Sequence, residues 1–177
     1  MLRLLEEKDY TAVMDLFAAC FRDDHYFHEL YGNSADFESR LRESSKYSIK
    51  YCIDSGMSYG VFDVDRLVGF MLCFNYKWTQ VFDRPAFRSI FLGSCPEIHL
   101  NVAQIDGPVL YLMLVGVDLN HRRKGVASRL LDAVIAAYPD YTIVSDVSAL
   151  ESVAMYQKRG FSVSPLEPDY VWVQSQK

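Results

Sequence analysis

Chemistry is most legible around residues 121 to 128. His121-Arg122-Arg123-Lys124 sets up to four cationic or protonatable side chains in a row, and Gly125-Val126-Ala127-Ser128 follows. An apolar strand, Tyr111 to Val117, runs before them and is broken at Asp118-Leu119-Asn120. After them Val126, Leu130, Leu131, Val134, Ile135 and Tyr138 recur at helical spacing. A strand that delivers a basic, glycine-containing turn to a helix N-terminus makes an anion site. The first N–H groups of the helix lack acceptors, and the helix dipole there favours negative charge. The dipole supplies only about 0.3–1 kcal/mol at an exposed end, so N–H hydrogen bonds and the neighbouring arginines must supply the rest. Gly125 and Ala127 matter for what they lack, since a phosphate reaches the backbone only where no long side chain intervenes. The expected ligand is a diphosphate or a group like it. Taken alone, the charges indicate only a solvated basic turn.

The elements that must position this turn follow from periodicity. Leu2, Leu4 and Leu5 predict a short strand, and Asp9 is the expected N-cap of a helix through Phe21, with Val13, Leu16, Phe17 and Cys20 on one face. Asp23 to Gly32 reads as a turn rich in aromatic residues, and Ser34 or Asp36 as the cap of a second helix toward Asp54. Met57 to Phe62 and Leu67 to Phe74 read as a hairpin. Tyr141 to Asp146 reads as a strand, and Leu150 to Lys158 as a helix ending before Gly160, a normal residue to follow a helix. Phe161 to Val163 and Tyr170 to Val173 complete the order β-α-α-β-β-β-α-β-α-β-β.

The bounds are those of one α/β domain spanning 1–177, with an insertion at about 75–107 that holds a short helix from Ala86 to Leu92. Half the residues are apolar and 14% are aromatic, as in a globular chain with a sizeable core. A formal charge of −5 argues against general nucleic-acid binding and makes the cluster at 121–124 more informative. No apolar run is long enough to span a membrane and no signal peptide is recognisable, so a cytoplasmic protein is expected. Cys20, Cys52, Cys73 and Cys95 are scattered without paired metal spacing; reduced thiols and no metal are expected.

At Arg122-Arg123-Lys124-Gly125-Val126-Ala127 the chain resembles the GNAT superfamily of acyl-CoA-dependent N-acetyltransferases. The family's pyrophosphate signature is Arg or Gln, two residues, Gly, one residue, then Gly or Ala. Tyr156-Gln157-Lys158-Arg159-Gly160-Phe161 matches a second family signature in the right order. The resemblance implies a mixed, twisted sheet of six to seven strands with helices on both faces. It further implies acetyl-CoA as acyl donor, held by the backbone of Val115, Gly116 and Val117 and by Arg122, Arg123, Lys124, Gly125, Val126, Ala127 and Ser128. An amine would attack the thioester directly, and Tyr156 would protonate the departing thiolate. The family's usual acid on the central strand is replaced by Tyr111, so the expected proton acceptors are Glu97 and His99 of the insertion, or a water held by Tyr111. The Asn that many members carry seven residues before the Tyr is Ala149 here, which leaves Asp146 or Ser148 to compensate.

The function expected is therefore acetyl transfer to the primary amine of a small molecule or peptide, by a monomer or homodimer. The alternative is a non-catalytic acyl-CoA or nucleotide-binding sensor. A dinucleotide-binding α/β unit fits poorly, because the glycine triad is missing and the hairpin before the central strand does not suit a parallel series.

Overall fold

A computed structural model describes residues 1–32, 34–76, 101–166 and 170–176. The strands are β1 (Leu2–Leu4), β2 (Tyr59–Asp63), β3 (Arg66–Asn75), β4 (Val109–Val117), β5 (Thr142–Val147), β6 (Phe161–Leu166) and β7 (Tyr170–Ser175). The α-helices with described boundaries are α1 (Tyr10–Phe21), α2 (His25–Tyr31), α3 (Phe37–Asp54), α4 (Val126–Ala137) and α5 (Val153–Gln157). The sheet is mixed and seven-stranded in the order β1-β2-β3-β4-β5-β7-β6, and its parallel pair is β4 with β5.

The expected order is found with one added helix. Asp23 to Gly32 is not a turn: α2 occupies it, because the Asp24 side chain accepts from the Phe27 N–H at 3.3 Å and caps its start. Phe27 then packs edge-on against Phe17 and Phe21, so the aromatic residues that suggested a turn form a helix seat. Asp9 does not cap α1 with its side chain. It accepts from the Glu6 N–H at 2.9 Å and from both Arg3 terminal nitrogens at 2.7 and 2.8 Å, which ties β1 to the 3₁₀ turn Glu7–Asp9 before α1. Asp36 precedes α3 as expected, though without a side-chain cap. The expected helix at 150–158 is split into a 3₁₀ turn, Leu150–Ser152, and α5.

Two apolar layers cover the two faces of the sheet. Helices α1, α2 and α3 contribute Phe17, Phe27, Leu41 and Ile49 to a core with Phe70, Phe74, Tyr111 and Trp172. Helices α4 and α5 contribute Leu130, Leu131, Val134 and Tyr156 to a core with Met71, Leu110, Leu112 and Val173 on the other side. Leu67 to Phe74 is buried at every position, as expected of a central strand covered by helices on both faces. None of the helices among the described residues is long and apolar enough to cross a membrane. The expected helix at 86–92, Cys95, Glu97 and His99 lie outside the described residues.

Candidate active site

The site is built where β4 and β5 part. Their parallel pairing holds only for Val109, Leu110 and Tyr111, which face Thr142, Ile143 and Val144. Beyond that point β4 continues to Val117 along β3 but leaves β5. The pairing with β3 slips between Leu72/Leu114 and Cys73/Leu112, so Met113 is an extra residue in β4, and such a bulge bends and twists the strand that carries it. The Ser145 hydroxyl closes the base of the gap by donating to the Leu112 carbonyl at 2.9 Å.

The open edge carries Val115 and Val117. The Asp118 N–H donates to the Val68 carbonyl at 3.0 Å across the β3 edge. Backbone groups alternate edges along an antiparallel strand, so Val117 and Val115 turn their N–H and C=O toward the gap. The Val117 carbonyl there accepts from Arg122 Nε at 3.2 Å and from the Cys20 thiol at 3.4 Å. Gly116 faces the opposite way in the side-chain sense: a Cβ on it would lie 2.5 Å from the Phe70 ring, so packing demands glycine there.

The basic turn continues from that edge into α4. Arg123 has φ 61° and Gly125 has φ 77°, and a Cβ built on Gly125 meets nothing within 4 Å. The glycine thus supplies a left-handed residue at the helix start and leaves the approach to the N–H groups of Val126, Ala127 and Ser128 open. His121 is drawn away from this cradle, its Nδ1 2.8 Å from Asp118 Oδ1, while Asp118 also accepts from Arg66 at 2.7 Å. Bonding to His121 holds the Asp118 carboxyl below the usual range. Arg123 and Lys124 make no ion pair among the described residues and are exposed.

Tyr156 lies in the core on the α4/α5 side, beside Ser145, and is 3% exposed. Its ring meets Phe161 edge-on at 5.5 Å, and Gly160, with φ 78°, makes the turn between them. Arg159 fixes this segment by bonding Asp132 of α4 at 2.5 and 2.9 Å and the Ser128 carbonyl at 3.3 Å. Burial pushes the Tyr156 phenol well above its ordinary pKa, against the opposing effect of its hydrogen bond with Ser145.

Tyr111, at the position of the missing family acid, donates its hydroxyl to Asp146 Oδ1. Sequence reasoning placed Asp146 only as a substitute for the absent Asn. The signal was present in strand alternation, which puts Ser145 and Asp146 on opposite faces, but the partner strand had to be known before it could be used.

The GNAT acetyltransferase family model matches residues 10–161, which takes in both the open strand edge and Tyr156. The chain belongs to the GNAT acetyltransferase family. This acyltransferase is similar in fold to the PaiA N-acetyltransferase from Thermoplasma acidophilum, solved in complex with coenzyme A (TM-score 0.65, 15% identity, covering 100% of this chain and 98% of that one). It is similar as well to the polyamine N-acetyltransferase of Drosophila melanogaster, which forms N-acetylagmatine (TM-score 0.68, 15% identity, 98% of this chain and 96% of that one). Arylalkylamine N-acetyltransferase 2 from Aedes aegypti gives a TM-score of 0.69 at 13% identity, covering 98% of this chain and 95% of that one. No curated protein sequence matches the chain.

Proposed function

We propose that this GNAT protein transfers an acetyl group from acetyl-CoA to a primary amine of a small molecule or peptide by direct attack. One observation carries the reading. The edge of β4 at Val115 and Val117, which leaves β5 after Tyr111, leads through the 3₁₀ turn Leu119–His121 to the left-handed Gly125 at the start of α4, and the buried Tyr156 lies on the α4/α5 side of the sheet beside Ser145, at the base of the gap. A donor with a long polar arm and a diphosphate matches that sequence of groups. Its arm would bond the strand edge and its diphosphate the N–H groups from Gly125 to Ser128, with Arg122, Arg123 and Lys124 adding positive charge. The coenzyme A bound to the Thermoplasma relative and the amines of the insect relatives support the donor and the acceptor class.

In this arrangement the amine nitrogen forms a C–N bond with the acyl carbon, the C–S bond breaks, and Tyr156 hydrogen-bonds the departing sulfur. A phenol raised by burial is a poor acid in water, but the same dry surroundings raise the thiol too, so the hydroxyl can still stabilise the thiolate as it forms.

Calorimetric titration with acetyl-CoA, CoA, ATP and NAD, followed by an acetyl-transfer assay over an amine panel, tests the reading. Binding of acetyl-CoA and CoA alone, with transfer to at least one amine, is expected. Binding without turnover on any amine would instead favour a sensor, and a preference for ATP or NAD would overturn the donor assignment.

A further inference from the structure

Asp146 is an acid with a phenol for a partner and, among the described residues, no cation. Tyr111 on β4 donates to its carboxylate, and no Arg, Lys or His among the described residues forms an ion pair with it. A carboxylate withdrawn from water is destabilised unless a cation or several donors compensate. Burial accordingly raises its pKa above the usual carboxylate value, with the Tyr111 hydrogen bond opposing the rise. As a residue, Asp146 is half-buried.

Its place in the sheet gives this acid a direction. Ser145 faces Tyr156 and α5, so Asp146, the next residue, faces the α1–α3 side beside Tyr111. Tyr111 belongs to the last β4–β5 pair, hence the carboxylate stands at the mouth of the gap. Across the sheet Asp146 pairs with Trp172, and Trp172 with Ser164, forming a row over β5, β7 and β6. Trp172 and Ser164 also line an open, mainly polar groove of about 300 Å³ on that face.

We infer that Asp146, oriented by Tyr111, binds the ammonium group of the acceptor and takes its proton, on the sheet face opposite Tyr156. The inference rests on the acetyltransferase reading above. The acceptor R–NH3⁺ gives one proton to the carboxylate, and the freed nitrogen lone pair forms the C–N bond. The C–S bond then breaks, the nitrogen loses its second proton, and the thiolate gains one. With Asp146 returning its proton to water, the products are the amide, the thiol and one H⁺. An alkyl ammonium with a pKa of about 10.4 is almost wholly protonated at pH 7, so a local acceptor removes the main obstacle to attack. Among the described residues, the titratable groups shown to act on Asp146 or to feel it are the Tyr111 phenol on β4 and, through the gap, Tyr156.

The test compares wild type, Asp146→Asn and Tyr111→Phe in acetyl transfer to agmatine, tyramine and a peptide with a free N-terminus, between pH 6 and 10. Asp146→Asn should keep acetyl-CoA binding while kcat/KM at pH 7 falls by about 100-fold or more, a loss typical of removing a proton-transfer group. Its activity should climb about tenfold per pH unit toward the amine pKa, because only the neutral amine can then react. Tyr111→Phe should move the acid limb of the pH profile upward, which keeps the assignment testable if the Asn variant does not fold. Unchanged amine kinetics and pH profile in Asp146→Asn, or an unmoved acid limb in Tyr111→Phe, would overturn the role of Asp146 while leaving the acetyltransferase intact. If the wild type binds no acetyl-CoA or acetylates no amine, both readings fall together.

Discussion

The roles proposed for Tyr156 and Gly125 turn on single atoms, a hydroxyl and a missing Cβ. Tyr156→Phe removes the one and keeps the ring against Phe161, so acetyl-CoA affinity should hold while kcat drops on the order of 100-fold, read by steady-state kinetics beside calorimetry. Gly125→Glu fills the open approach to the first N–H groups of α4, forces a side chain into φ 77° and adds negative charge where a diphosphate would sit. Acetyl-CoA binding should weaken by at least about tenfold, equivalent to about 1.4 kcal/mol. Both positions were legible in the sequence, because short motifs set their register. Asp146 was not legible as a proton acceptor: its meaning depends on Tyr111, 35 residues away in sequence and adjacent only once β4 and β5 pair.

Element by element, the ends of the helices decide how the two layers meet the sheet. The Asp24 cap is what turns an aromatic-rich stretch into α2, so Asp24→Ala should cost about 0.5–2 kcal/mol, measured by denaturant unfolding. Asp9 is bonded first by Arg3, and this holds its carboxyl below the ordinary range. The stability it contributes is present above the unfolded carboxylate pKa of about 4 and is lost as pH falls through the lower folded value. Thermal melts between pH 7 and pH 2 should therefore fall less steeply for Asp9→Asn than for the wild type. The sequence pointed to Asp9 as a helix-start residue, yet its partners, Glu6 and Arg3, give it a different task. A cap and a capping-box residue have the same chemistry and differ in local backbone geometry alone.

At the scale of the molecule, the basic turn is positioned by α4, which is pressed onto the sheet at a fixed place. A Cβ on Gly69 of β3 would lie 2.5 Å from Val126 Cγ1, the first residue of α4. Gly69→Val should thus push the start of α4 off the sheet, lowering the melting temperature and acetyl-CoA affinity together. Leu130→Ala, at a fully buried position further along α4, should cost about 2–5 kcal/mol of stability and leave the turn less disturbed. The contrast between the two variants separates loss of core from loss of seating.

By itself the sequence determined the order of elements apart from α2, the basic glycine turn before α4 and the helix that carries Tyr156, because each depends on residues close together in the chain: periodic apolar faces, a glycine at a helix start, a tyrosine four residues before a glycine. Only the tertiary structure decided where β4 leaves β5, that Met113 bulges there, and that Asp146 stands against Tyr111 at the mouth of the gap. Those features come from the pairing of strands distant in sequence, and pairing depends on how both helical layers pack, which no local pattern encodes.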